Sequence, residues 1–160
     1  EPMSNGYGIT IDEKGRVFVC GAKGLSRFDP STQTWMTSQG GPVLGANGCM
    51  TDGNGKIWVG GGSDMGDPGL HSYDAETMQP LASWPVGGVK GVSIDADGYV
   101  WGVGSAGALA GLNPALNTAW RVDPLTGAAQ QYDGLNGAYS YSDMTGFGLK
   151  HAGVLVPPLE

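Results

Sequence analysis

The chain has 160 residues, of which 30 are glycine, and apolar residues make up 40% of the sequence. The glycines follow no Gly-X-Y period, which excludes collagen, and the apolar content is too high for a disordered chain. The net charge of −7, with only eight lysines and arginines, argues against a nucleic-acid-binding face and an anionic membrane surface. No apolar run approaches the roughly 18 residues of a transmembrane helix, so we expect no membrane insertion.

A short phrase occurs three times, at residues 12–19, 52–59 and 95–102. In each copy an Asp opens a four-residue turn, a Gly closes it, and a strand follows. Each strand carries an aromatic side chain at one fixed place: Phe18, Trp58 and Trp101. Equivalent aromatics in successive units are typical of packing between the units, and a stacking platform for sugars or bases is the alternative.

Around each phrase the sequence predicts a unit of four strands joined by hairpins. The first unit, 8–36, has strands at 8–11, 16–19, 25–28 and 33–36. The second unit, 48–84, has strands at 48–51, 56–59, 70–73 and 78–84. The third unit, 91–132, has strands at 91–94, 99–101, 119–122 and 128–132. A degenerate fourth unit, 138–156, predicts only two strands.

The units start at Gly8, Gly48 and Gly91, so their period is 40 and then 43 residues. A four-stranded unit that repeats about every 40–45 residues is the signature of a β-propeller blade. We therefore predict one all-β domain over residues 1–160, a β-propeller with three complete four-stranded blades plus a partial fourth. A β-sandwich is the alternative, although it would not require the same phrase three times.

The units differ mainly in the connection between their second and third strands. From the first-turn Asp to the second-turn Asp, the span is 17 residues in the first unit, 22 in the second and 28 in the third. The insertions at 60–69 and 102–118 therefore crowd one rim of the propeller. Insertions on one face of a repeat fold often form the binding side.

The phrase Asp-x-x-Gly-x-Val/Ile-Trp/Phe, with a second turn of the type Asp-Pro/Ala-x-Thr, resembles the streptogramin lyase (virginiamycin B lyase)-like propellers and is similar to NHL-type propellers. The resemblance covers about residues 8–156. It implies the propeller fold, and for the lyase it implies catalysis by histidines and a glutamate, in a Glu-x-His element, near a bound Mg²⁺. His71 and His151 lie in no such motif and fit structural or surface positions, so no catalytic residue is predicted.

Two functions follow as alternatives. The first is a non-catalytic recognition or interaction module that binds an unknown protein or small-molecule ligand without a cofactor. The second is a metal-dependent lyase or hydrolase of the streptogramin lyase type, with Mg²⁺ and with catalytic residues supplied by further blades or a second chain. Few lysines and many Gly, Ser, Thr and Asn residues favour an exported bacterial protein, periplasmic or extracellular.

Three and a half blades do not close a ring, so each end blade is expected to expose more apolar surface than a soluble monomer normally does. The chain then belongs to a longer propeller, pairs with a second copy through these faces, or closes unusually tightly. We expect self-association as a homodimer, because two such arcs supply seven units, a common propeller number.

The candidate binding residues lie near the rim that carries the insertions. Asp64 and Asp67, together with Asp143, predict an acidic pocket for a cation or a basic ligand, and a solvated loop is the alternative. Tyr139 and Tyr141 lie in a polar and aromatic link into the last unit, which suits a ligand surface. For this link, the alternative is an outer strand that completes a neighbouring blade.

Other residue types that can bind metals have a structural interpretation. The aspartates that open the phrase fit turn caps better than calcium ligands, because an EF-type loop needs about twelve residues. Cys20 and Cys49 are expected to be small buried residues, with one disulfide between neighbouring units as the alternative.

Overall fold

The structure is a computed structural model, and it describes residues 6–22, 24–41, 47–62, 68–104, 117–138 and 140. Within them, twelve strands form three four-stranded antiparallel sheets, each in chain order. Blade 1 contains β1 (Gly6–Ile11), β2 (Val17–Gly21), β3 (Gly24–Asp29) and β4 (Thr34–Thr37). Blade 2 contains β5 (Cys49–Thr51), β6 (Lys56–Gly61), β7 (Gly69–Asp74) and β8 (Pro80–Trp84). Blade 3 contains β9 (Gly91–Ile94), β10 (Val100–Val103), β11 (Ala119–Val122) and β12 (Ala129–Tyr132).

The observed strands coincide with the predicted ones except at their ends. The fourth strands of blades 1 and 2 begin at Thr34 and Pro80, one and two residues later than predicted. The reason is that Gln33 and Met78 adopt a left-handed backbone, with φ of 55° and 61°, and so complete the preceding turn. The equivalent position in blade 3 is Gly127, with a φ of 76°, which accepts this conformation without steric cost.

The aspartate that opens the phrase organises the first turn of each blade. Asp12 Oδ1 accepts hydrogen bonds from the backbone N–H groups of Lys14 and Arg16, at 3.0 and 2.9 Å. Asp52 and Asp95 accept the equivalent pairs of bonds from the residues two and four positions later. These bonds confirm the interpretation of the three aspartates as turn caps.

Each sheet has a forward face, toward the next blade, and a rear face, toward the preceding blade. Successive residues of a strand alternate between the two faces, and cross-strand partners share a face. In blade 1 the forward face carries Thr10, Phe18, Cys20, Leu25 and Arg27. The rear face of blade 1 carries Ile9, Ile11, Val17, Val19 and Phe28.

The core lies at the two junctions where a forward face packs on a rear face. The first junction, between blades 1 and 2, buries Phe18, Cys20, Leu25, Cys49, Ile57, Val59, Tyr73, Ala75 and Met78. The second junction, between blades 2 and 3, buries Met50, Trp58, Leu70, Val86, Val89, Val92, Ile94, Val100 and Val122. The core interpretation is thus confirmed for Phe18 and Trp58, whereas Trp101 is half-buried.

The first strands of the three blades lie side by side, with β5 between β1 and β9. The Gly48 N–H donates to the carbonyl oxygen of Lys90, just before β9, at 2.8 Å. On the other side, Thr10 Oγ1 accepts from the Thr51 N–H at 3.4 Å. Sheets that meet through their first strands form the blades of a propeller, so the predicted fold class is confirmed and the β-sandwich alternative is wrong.

The two cysteines are buried as thiols at the first junction. The Cys20 thiol donates to the carbonyl oxygen of Asn47 at 2.8 Å. The interpretation as small buried residues is confirmed, and the disulfide alternative is wrong.

Candidate functional site

The binding residues predicted from the sequence lie outside the described residues: Asp64, Asp67, Tyr139, Tyr141 and Asp143. The same holds for His151 and for the fourth unit, apart from residues 138 and 140. The acidic pocket and the tyrosine surface therefore stay predictions.

The described residues do place the ends of the two insertions. The connection from the second to the third strand grows from residues 22–23 in blade 1 to 62–68 in blade 2 and 104–118 in blade 3. The link between blades 2 and 3 runs along the same rim, because the Val89 N–H donates to the carbonyl oxygen of Gly61 at 2.9 Å. The ends of the insertions and the link between blades 2 and 3 thus lie at one rim, which we name the insertion rim.

His71 is buried on β7, and its Nδ1 lies 2.9 Å from Ser83 Oγ on the neighbouring strand β8. The ring therefore connects the third and fourth strands of blade 2, which confirms its structural interpretation. Across the part of the chain that the structure describes, no group of three or more His, Cys, Asp or Glu residues is placed to hold a metal ion.

The turn aspartates also bind the aromatics of the repeated phrase. The Trp58 indole N–H donates to Asp52 Oδ2 at 3.2 Å. In blade 3, the Trp101 indole N–H donates to Asp95 Oδ2 at 2.8 Å. One carboxylate thus caps the turn with one oxygen and orients a ring on the forward face with the other.

An ion-pair cluster joins blades 1 and 2 at the rim opposite the insertions. The buried Arg16 guanidinium donates to Asp12 Oδ2 and Glu76 Oε2, both at 2.7 Å. Lys14 Nζ donates to the same Glu76 oxygen at 3.0 Å. The hydrogen bonds from Lys14 and Arg16, with their charges, lower the pKa of Glu76. Burial lowers the pKa of Arg16, but its bonds to the two carboxylates outweigh burial, so this pKa is raised.

The forward face of blade 3 combines aromatic rings with one arginine. The rings of Trp101 and Tyr132 stack with their centroids 5.4 Å apart. The Arg121 guanidinium carbon lies 3.4 Å from the centroid of the Tyr99 ring, and Nε lies 3.9 Å from Asp95 Oδ2. A cleft of about 230 Å³ is lined by Tyr99, Arg121, Asp123, Ala128, Ala129 and Gln130. A cation flanked by rings is suited to bind carbonyl oxygens or a carboxylate.

Two carboxylates beside Arg121 are held in the ionised form. Burial raises the pKa of Asp95, but hydrogen bonds from the Trp101 indole and from two backbone N–H groups outweigh it, so the pKa is lowered. The pKa of Asp123 is lowered by the Leu125 N–H and by Thr126. Arg121 therefore lies between anions that persist well below neutral pH.

The Arg121 cluster was not predicted from the sequence, although a signal was present. In the first and third units an arginine stands two residues before the Asp of the second turn, as Arg27 before Asp29 and Arg121 before Asp123. The two arginines are structurally equivalent, because Arg27 is the cross-strand partner of Phe18 and Arg121 is that of Trp101.

No protein-family model matches the chain, and no curated protein sequence matches it significantly. Solved structures do match it. The TM-score is 0.58, at 20% identity, with the extracellular domain of BT3049 from B. thetaiotaomicron, which is described as a hybrid two component system. It is 0.62, at 17% identity, with hydrazine synthase from Kuenenia stuttgartiensis. It is 0.56, at 16% identity, with the extracellular domain of BT4673 from B. thetaiotaomicron, described as a one component system.

These matches cover 82%, 86% and 89% of this chain but only 19%, 38% and 19% of the matched chains. The chain thus spans less than two fifths of the length of each matched structure. At these identities the similarity concerns the fold, and it identifies the three sheets as a propeller fragment. The finer resemblance to streptogramin lyase stays a prediction.

Proposed function

We propose that the chain is a non-catalytic recognition module that binds its ligand at the insertion rim. The observation that carries the proposal is the graded length of the connections there, from residues 22–23 through 62–68 to 104–118. The residues that the blades share form the turns and the junctions between blades. The connections in which the blades differ are therefore available for ligand binding.

Within this rim we assign the ligand contacts to Asp64, Asp67, Tyr139, Tyr141 and Asp143. Three carboxylates favour a cation or a basic group, and tyrosines supply a flat surface with a hydroxyl at its edge. The turn aspartates and the buried histidine already have structural roles, which supports placing the ligand at the rim.

The proposal includes export from a bacterial cell. Two of the matched structures are extracellular domains, and the low lysine and arginine content of this chain agrees with that location. Outside the cell, the module would present its insertion rim to a small molecule or to another protein.

A loop exchange tests the proposal. Residues 62–68 are replaced by Ala22 and Lys23, which connect the same two strands in blade 1. Thermal shift is then measured with amino acids, peptides, and mono- and oligosaccharides, and separately with Mg²⁺. We expect at least one compound class to raise the melting temperature of the wild type. The exchange variant should lose this shift while its circular dichroism spectrum stays unchanged.

The control variant alters the opposite rim. Leu125→Ala changes a side chain that is 92% exposed in the second turn of blade 3, and it should retain the ligand-induced shift. A shift that survives the loop exchange would contradict the assignment to the insertion rim. A rise in melting temperature with Mg²⁺ that survives the loop exchange would instead favour the lyase alternative, because it would place the metal away from the rim carboxylates.

A further inference from the structure

The rear face of blade 1 is exposed, whereas the rear faces of blades 2 and 3 are buried. Ile9 and Ile11 are 55% and 59% exposed on this face. The residues at the same positions in the other blades are at most 3% exposed: Cys49, Thr51, Val92 and Ile94. The same strand positions therefore pack on a neighbour in two blades and face solvent in the remaining one.

The exposed apolar surface extends across the sheet to its outer edge. Val17 and Val19 on β2 are half-buried. Farther out, the ring of Phe28 lies 5.0 Å from the ring of Trp35, which is itself exposed. A contiguous apolar face of this kind on a soluble protein marks an interaction surface.

The first junction shows what a rear face binds in this chain. Phe18, on the forward face of blade 1, is fully buried in one cluster with Ile57 from the rear face of blade 2. Beside it, the Arg27 guanidinium donates to the carbonyl oxygens of Ala75 at 2.8 Å and Glu76 at 2.7 Å. Both carbonyls belong to the second turn of blade 2.

The second junction follows the same rule. Trp58 and Trp84 on blade 2 have their ring centroids 4.8 Å apart, and Trp58 is fully buried. The Trp84 indole N–H donates to the carbonyl oxygen of Gly127 at 3.1 Å, in the second turn of blade 3. Each junction thus combines a buried aromatic with a donor that reaches a backbone carbonyl in the second turn of the next blade.

The forward face of blade 3 carries both elements. Trp101 stands at the position of Phe18, and its cross-strand partner Arg121 stands at the position of Arg27. Tyr132 stacks on Trp101, and both rings remain partly exposed. This face is therefore built like the forward faces that bind the next blade at the two junctions.

We infer that the forward face of blade 3 binds the rear face of blade 1 of a second copy of this chain. In this contact, Arg121 donates to the carbonyl oxygens of Pro30 and Ser31 of the second copy. These residues occupy the second turn of blade 1 as Ala75 and Glu76 occupy that of blade 2.

Both halves of the contact belong to one chain, which is why a second copy fits. The rear face of blade 1 offers Val17 and Val19 at the positions where blade 2 offers Ile57 and Val59. The charges are also complementary, because the second turn of blade 1 contains the carboxylate of Asp29, which an arginine that binds this turn can reach. Two copies joined at both ends close a ring, and copies joined at one end form an open array.

Size-exclusion chromatography with light scattering tests the contact in two variants. Ile11→Lys places a charge on the rear face of blade 1, and Arg121→Glu reverses the charge on the forward face of blade 3. We expect the wild type to be dimeric and each variant to associate at least about tenfold more weakly. An equimolar mixture should restore a 1:1 complex, because one variant keeps an intact forward face and the other an intact rear face.

Leu81→Lys is the matched control, because Leu81 is 51% exposed on β8 of the middle blade, which lies at neither end. This variant should keep the wild-type mass. Hydrogen exchange of the wild type at decreasing concentration supplies a readout that needs no variant. Strands β1 and β11 should lose protection together on dilution, while β8 does not change.

Three outcomes would overturn the inference: a monomeric wild type, a dimeric Arg121→Glu variant, or a variant mixture that stays monomeric. A monomer would assign the forward face of blade 3 to another occupant, such as the fourth unit of the same chain. A dimer that survives Arg121→Glu but not Ile11→Lys would mean that two rear faces pair with each other.

Discussion

The indole N–H of Trp58 and the carboxylate of Asp52, six residues apart in sequence, form a buried hydrogen bond of 3.2 Å. In blade 1 the second carboxylate oxygen of Asp12 has a different donor, because Phe18, which stands at the position of Trp58, has no N–H group in its side chain. There Arg16, four residues after Asp12, donates from Nε to the second carboxylate oxygen at 2.7 Å. The two arrangements satisfy the same carboxylate oxygen from different positions.

We predict that Trp58→Phe lowers the free energy of unfolding by about 2–4 kcal/mol, because it removes the donor to a buried carboxylate and leaves a cavity. Adding Lys56→Arg recreates the blade 1 arrangement around Asp52, since residue 56 is also four positions after the Asp. The double variant should regain about 1 kcal/mol in urea denaturation. A double variant no more stable than the single one would contradict the equivalence of the two arrangements.

Gln33→Gly should stabilise the chain. Gln33 has a φ of 55°, a left-handed conformation that costs a residue with a Cβ atom about 1 kcal/mol and that glycine adopts freely. Because the Gln33 side chain is exposed, the substitution removes no packing contact. The melting temperature measures the gain. Met78→Gly is the control: its φ of 61° is similar, but its side chain is buried at the first junction, so this variant should be less stable than the wild type.

Arg16→Ala should cost about 3 kcal/mol of unfolding free energy, because it leaves the buried Asp12 carboxylate without its cation. Lys14→Ala removes the other cation that binds Glu76, but this pair is exposed on both sides, so its effect should be within error. Chemical denaturation of both variants checks the difference. Equal losses would show that the cluster acts through Glu76 and not through Asp12.

The stability of the chain should fall in acid. The pKa of Asp74 is lowered mainly by the Thr77 N–H, and that of Asp95 by bonds that outweigh its burial, so both lie below the ordinary 3.8. A carboxyl group with a lowered folded-state pKa stabilises the fold above its unfolded pKa, and this contribution is lost as the pH falls through the folded value.

Thermal melts at different pH values measure this loss. We expect a constant melting temperature from about pH 7 to pH 5 and a decline below about pH 4. Asp95→Asn should be less stable at neutral pH but should show a shallower decline in acid, because one titrating group is removed. A melting temperature that does not change down to about pH 3 would contradict the role of these carboxylates.

The turns and strands were predictable because their causes are local. An Asp and a Gly three residues apart specify the first turn, and the alternation after them specifies the strand. The late starts of β4 and β8 were missed because left-handed backbone at Gln33 and Met78 carries no signal in residue type, whereas Gly127 at the same position does.

The junctions were predictable as a class but not in their contacts. Repeated aromatics indicated packing between units, and Phe18 and Trp58 lie there. The bonds from Arg27 to a turn 48 and 49 residues later depend on how one sheet is rotated against the next, which no local pattern encodes. The Arg121 cluster lies within one sheet, and its sequence signal was the arginine that stands two residues before the second-turn Asp in both the first and the third unit. The proposed ligand residues lie in segments that have no counterpart in the other units, so the repeat predicts nothing about their structure.

The turn carboxylate caps a hairpin and also binds an indole ring, and this dual role has a consequence for the evolution of the repeat. In blades 2 and 3 the aspartate that caps the hairpin also binds the aromatic ring on the forward face of the same sheet, so a gene segment for one such unit encodes its folding and its packing surface together. Tandem duplication of such a segment adds a blade that already carries the residues for packing on its neighbour. Selection is then left to diversify the lengths of the connections at one edge.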